Sequence, residues 1–159
     1  MRNTLDSFDR RILDIVQRDG ELTADAIGER IGLSASATLR RLRRLKAEGA
    51  IAATVAIVDP ATIGKPTFFI VALEIERERP ELLAQLRRWF AGEDQVQQVY
   101  YVTGSADFVL IITAPDVDSY DALMARMIAD NSNVRRFTTN VALGIGKRGL
   151  FVPVLPPVE

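Results

Sequence analysis

Ile31-Gly32-Leu33-Ser34-Ala35-Ser36-Ala37-Thr38-Leu39-Arg40-Arg41-Leu42-Arg43-Arg44-Leu45-Lys46-Ala47-Glu48-Gly49 carries a turn, a helix cap and a basic helix in succession. Gly32 accepts the unusual backbone angle that a tight turn needs, and Ser34 is a helix-capping residue. Leu39, Leu42 and Leu45 recur at helical spacing, and Gly49 closes the segment. Between Ser34 and Ala47 stand Arg40, Arg41, Arg43, Arg44 and Lys46 without one acid, whereas neighbouring segments carry mixed signs. The net charge of the chain is only −1, so the local stripe, not overall basicity, is informative.

Working outward, residues 6–18 read as a first helix capped by Asp6, with Phe8, Ile12, Ile15 and Val16 on one face. A second begins after Thr23 and buries Ala26, Ile27 and Ile31, while Gly28 lets a neighbouring helix approach closely. Helix, turn and basic helix in this order predict a helix-turn-helix, whose last helix enters the DNA major groove. At about 100° per residue, turning Leu39, Leu42 and Leu45 inward puts Ser36, Ala37, Arg40 and Arg44 outward. Arg41 and Arg43 then flank that face. Arginine suits both guanine edges and phosphates, and Ser34 and Ser36 near the helix N-terminus suit phosphate. A basic face alone is more often a solvated surface; the turn and the bracing helix tilt the reading to DNA.

Ile51, Val55, Ile57 and Val58 predict one or two short strands, the wing of such a domain. Pro60–Pro66, with two prolines and a glycine, marks a boundary. The expected division is 1–60 for the reader with its short strands, 61–66 for the linker, and 67–159 for a second domain. There, strands are expected at 67–76, 96–103, 107–113 and 134–143, helices at 80–90 and 117–129, and a further strand at 150–155. The order β-α-β-β-α-β is the split, ferredoxin-like arrangement, so the expected class is α+β. The first strand is apolar on both faces, with Phe69, Val71, Leu73 and Ile75 one way and Phe68, Ile70 and Ala72 the other. A strand buried on both sides implies a covered sheet, by a second copy of the chain in a homodimer or by the chain's own helices or tail.

The 159 residues contain no cysteine and no histidine. Disulfides, Cys-based zinc sites, the commonest general base and the commonest metal ligand are thereby removed. No catalytic residue, metal or cofactor is expected. No stretch has membrane-spanning length and residues 1–14 show no signal-peptide pattern, which makes a cytoplasmic location the expectation.

The chain resembles the Lrp/AsnC (feast/famine) family of transcription regulators. Leu5-Asp6-Ser7-Phe8-Asp9-Arg10-Arg11-Ile12-Leu13 is similar to the family's opening, and Ile31-Gly32-Leu33-Ser34 with Leu39-Arg40-Arg41-Leu42 to its turn and recognition helix. Val102-Thr103-Gly104-Ser105-Ala106-Asp107-Phe108 resembles its Gly-x-x-Asp hairpin. The resemblance implies double-stranded DNA as partner, dimers built into tetramers or octamers, and an amino-acid or related effector held between sensor domains. Carried over by position, the effector residues are Gly104, Ser105, Asp107, Thr139 and Asn140, with Val102 and Val141 as lesser candidates. Read from the residues alone, Gly104 making a turn and Asp107 capping it is the plainer account. The chain departs from the family where Ser34-Ala35-Ser36-Ala37 replaces prolines, and where Ser105-Ala106 replaces an acid and an aromatic. Two other readings compete: a stand-alone amino-acid-sensing module, opposed by the helix-turn-helix half, and a haem-precursor enzyme of like architecture, opposed by the absence of histidine.

Overall fold

Caps written into the sequence start the helices of the first half. In the computed structural model, which describes residues 5–154, Asp6 accepts a hydrogen bond from the Asp9 N–H at 2.8 Å and begins α1 (Ser7–Val16). Thr23 accepts from the Ala26 N–H and begins α2 (Ala24–Ile31); Ser34 accepts from the Ala37 N–H and begins α3 (Ala35–Ala47). Gly32 ends α2 at φ 78°, a backbone that a Cβ would strain. Ile12, Ile27, Ile31 and Leu45 form the core between the three helices. Gly28 sits at the crossing: a Cβ there would lie 2.5 Å from the Leu33 carbonyl oxygen and 3.0 Å from Thr38 Oγ1.

Two expectations fail in this half. Residues 51–59 form no strand, and Val55, Ile57 and Val58 are exposed. A strand exists only through a ladder with a neighbour, and alternation alone does not supply one. Leu39 was expected inward with Leu42 and Leu45, yet it is 40% exposed and stands outside the core. Thr38 takes the inward place, fully buried and bonded through Oγ1 to the Ser34 carbonyl. The close approach at Gly28 leaves room for threonine and none for leucine, so the helix is turned.

In the second half, β1 (Thr67–Ile75), β2 (Val96–Tyr101), β3 (Phe108–Ala114) and β4 (Val134–Val141) form one antiparallel sheet in the order β2-β3-β1-β4. Helix α4 (Pro80–Ala91), with Pro80 in its first turn, and α5 (Val117–Asp130) supply the second layer. Phe69, Val71 and Leu73 of β1 pair with Ile112, Leu110 and Phe108 of β3 on the core face. Leu86, Phe90, Leu123, Met124 and Met127 cover them from the helices. Each such side chain contributes roughly 1.5–3 kcal/mol over its exposed state.

The opposite face carries Phe68, Ile70 and Ala72 from β1, Val109 and Ile111 from β3, and Tyr100 from β2. Within this unit they are half-buried or exposed, Ile70 by 42%. The doubly apolar strand is therefore covered on one face only by its own unit.

The chain divides into two compact units, the first comprising the described residues of Met1–Ile57 and Lys147–Glu159, the second Val58–Gly146. The closing residues thus group with the reader, against the expected 67–159 domain. No strand forms over 150–154; Leu155, the last residue of that expected strand, lies outside the described residues. Gly144, Gly146 and Gly149 break the strand pattern after β4. The Val152 N–H donates to Gln17 Oε1 at 2.8 Å, and the Arg18 guanidinium stacks 4.4 Å above the Phe151 ring.

Candidate nucleic-acid and effector sites

Asp9 organises the reader. It is 1% exposed. Its carboxylate accepts from the Asp6 N–H at 3.1 Å, completing a capping box, and from Arg41 Nη1 at 2.8 Å; it also pairs with Arg44. Arg41 Nη1 reaches Asp6 as well, at 2.7 Å. Arg11 spans to α2, donating to the Ile31 and Arg30 carbonyls at that helix's end. One carboxylate thus anchors two arginines of α3 to α1.

This anchoring changes the outward face of α3. Exposed residues are Ser36, Leu39, Arg40, Arg43, Lys46 and Ala47. Arg40 and Ser36 are where the sequence reading put them. Arg43, expected on a flank, is fully outward; Arg44, expected outward, is drawn to Asp9, and Arg41 likewise. Ala37 is half-buried, and Ser34 is exposed with its hydroxyl on the Ala37 N–H and 3.2 Å from Ser36 Oγ. Asp6, Arg40, Arg41 and Arg44 line a depression of about 280 Å³, a concavity rich in guanidinium. Sequence reasoning missed Leu39 as an exposed residue and Asp9 as a partner. The Asp-x-x-Asp spacing of Asp6 and Asp9 was visible, and a capping box would have flagged it.

The Asp6 carboxyl sits below the ordinary aspartate value of 3.8. Burial opposes the shift, but hydrogen bonds from the Asp9 N–H and Arg41, with the charge of Arg41, outweigh it. A depressed carboxyl contributes stability above its unfolded value that disappears as pH falls through the lower folded value. Thermal stability of the reader is accordingly expected to drop as pH falls below about 4. In Asp6→Asn that part of the acid sensitivity should be missing, as a pH series of melting curves will reveal.

The expected effector residues do not converge within one chain. Gly104 (φ 121°) and exposed Ser105 form the turn between β2 and β3. Asp107 is engaged structurally: its N–H donates to the Leu73 carbonyl, its carbonyl accepts from Val102, and its carboxylate accepts from the Ile75 N–H at 2.8 Å. Thr139 and Asn140 lie on β4, beyond β1, opposite Val71 and Ile70. Thr139 meets the Tyr120 hydroxyl, whereas Asn140 is exposed. Successive strand residues point to opposite faces, so these two share no pocket wall.

A three-helix reader with an arginine-bearing third helix, followed by an antiparallel sheet domain, defines a DNA-binding regulator with an appended sensor. Comparison with known proteins agrees. The model of the Lrp/AsnC ligand binding domain matches residues 69–149, and that of a winged helix-turn-helix DNA-binding domain matches residues 5–52. An HTH-type transcriptional regulator of Sinorhizobium fredii is 37% identical, over 94% of this chain and 89% of its own. The leucine-responsive regulatory protein of Escherichia coli is 27% identical, over 87% and 85%. The crystal structure of an AsnC family transcriptional regulator from Agrobacterium tumefaciens superposes with a TM-score of 0.81 at 28% identity, covering 94% of this chain and 97% of that one. The chain belongs to the Lrp/AsnC family: it is a DNA-binding transcription regulator with a ligand-binding domain, not an enzyme. Among the described residues, no helix is long and apolar enough to cross a membrane.

Proposed function

We propose that the chain binds a specific duplex through Ser36, Arg40 and Arg43 of α3, with Ser34 and the depression beside Arg41 and Arg44 taking phosphates. It does so in the cytoplasm as a homo-oligomer whose assembly responds to an amino acid or a related metabolite. The observation that carries the reading is the outward face of α3, basic and free of acids, directly behind the Gly32 turn. Phosphate contacts position such a helix and base-edge contacts specify its site. The apolar open face of the sheet supports pairing with a second copy. The separation of Gly104 and Ser105 from Asn140 supports an effector site completed by more than one chain. The amino-acid class rests on the leucine-responsive relative and on the matched ligand-binding domain.

The experiment is selection of duplexes from a random library by the full chain, followed by salt titration with and without each amino acid. Arg40→Ala and Arg43→Ala should each weaken the selected duplex. A base-reading arginine loses about 1–3 kcal/mol of discrimination, whereas a phosphate contact lowers the salt slope by about one. Unchanged affinity and unchanged slope in both variants would remove α3 from the interface. An effector must favour one assembly over another to act, so the amino acid that binds should also move particle size or DNA affinity.

A further inference from the structure

We propose that Leu39 is a specificity-determining residue that reads thymine through its 5-methyl group. The inference rests on the reading above, that the outward face of α3 enters the major groove.

Leu39 is the one large apolar side chain among the exposed residues of α3, at 40% exposure, flanked by Ser36, Arg40 and Arg43. It stands outside the reader's core cluster. The reader's core takes Leu45 at its centre and Leu42 and Leu33 at its edge, and leaves Leu39 out. It also stands within the first two turns after Ser34, the part of a recognition helix that reaches base edges. Arg41 and Arg44 cannot serve equally there, since both are held on Asp9.

In the major groove three of the four bases offer hydrogen-bonding groups and bare ring C–H edges, but no methyl. Thymine alone adds a methyl. An exposed leucine beside the outward Arg40 and Arg43 therefore completes a mixed reading head: guanidinium for guanine or phosphate, isobutyl for methyl. The same geometry penalises cytosine or adenine at that step, because their amino groups would lose water against the leucine without gaining a partner. Cytosine methylated at carbon 5 presents the same methyl and should be partly accepted.

The test uses the full chain and the duplex it selects from a random library, with each thymine in turn replaced by deoxyuridine, which removes the methyl and nothing else. At one position per half-site the wild type should lose about fivefold in affinity, while Leu39→Ser should bind both duplexes alike. Its affinity should match that of wild type on the uracil duplex. Because Leu39 is exposed, the melting temperature of Leu39→Ser should stay at the wild-type value. If deoxyuridine has no effect at any position while Arg40→Ala still weakens binding, the leucine is not a reader although α3 is. An equal uracil penalty in Leu39→Ser overturns the proposal too. Failure to select any duplex overturns the underlying reading, and this proposal with it.

Discussion

Asp9→Ala is expected to lower the stability of the reader by about 3 kcal/mol, the low end of the cost of removing one partner from a buried ion pair. The low end applies because Arg41 and Arg44 keep partial access to water, 24% and 36% exposed in their side chains, and can be rehydrated. Three interactions vanish together: the Asp6 N–H half of the capping box and both guanidinium contacts. Asp9→Asn keeps an acceptor for the cap but not the charge, and should fall between. Thermal melts followed by helical circular dichroism will register the change, since all described secondary structure of the reader is helical. DNA affinity should drop as well, even though Asp9 itself is buried, because α3 loses its fixed rotation. A melt superimposable on wild type would show that the arginines hold α3 without it.

The second large effect is expected at the open sheet face. Ile70→Glu should convert an associated chain into a folded monomer in sedimentation. Ile70 stands in the middle of β1 between Ile111 and Asn140, and its own unit leaves it exposed. A carboxylate there is harmless in a monomer. Sealed against a second copy without a cation it costs several kcal/mol, and a symmetric pair would carry it twice. Charges at Phe69 or Val71 do not make this test, because both are fully buried beneath α4 and α5 in a single chain. They would unfold the domain instead. A wild type that sediments as a monomer, or an Ile70→Glu chain that remains associated, places the interface elsewhere.

Much of the architecture could be read from residues whose effect is local. Asp6, Thr23 and Ser34 cap where expected, Gly32 turns where expected, and Pro80 opens α4. Strand alternation separated the two faces of β1 but did not say which of them is the core face. What failed depends on partners distant in the chain. The rotation of α3 is decided by Asp9, about thirty residues earlier, and by the space beside Gly28; helical periodicity contains neither. Leu39 and Thr38 are adjacent, so a modest rotation exchanges which one is buried. The segment 51–58 alternates like a strand but finds no ladder. Asp107 looked like a ligand group, and its carboxylate is spent on the Ile75 N–H. For the effector residues, motif spacing gave positions along the chain but not which strand face each would occupy.

The hydrogen bond between Val152 and Gln17 joins residues 135 apart, which bears on the order in which the chain assembles. Closing so long a loop from an unfolded chain is entropically expensive, and the cost grows with the logarithm of loop length. A folded sheet changes the starting point. Phe68 at its entrance and Ala142 at its exit are hydrogen-bonded to each other at 2.9 Å, so the path between them is already closed. What remains open is residues 18–67 on one side and 143–151 on the other. About one doubling of loop length is thereby removed, worth roughly 0.6 kcal/mol. Three local helices can form early, the sheet follows with its non-local pairing, and the tail docks last. A nascent chain would then carry a reader without the contacts of residues 151 and 152 until that segment emerges, and the Val152 contact on α1 forms more readily once the intervening domain has folded.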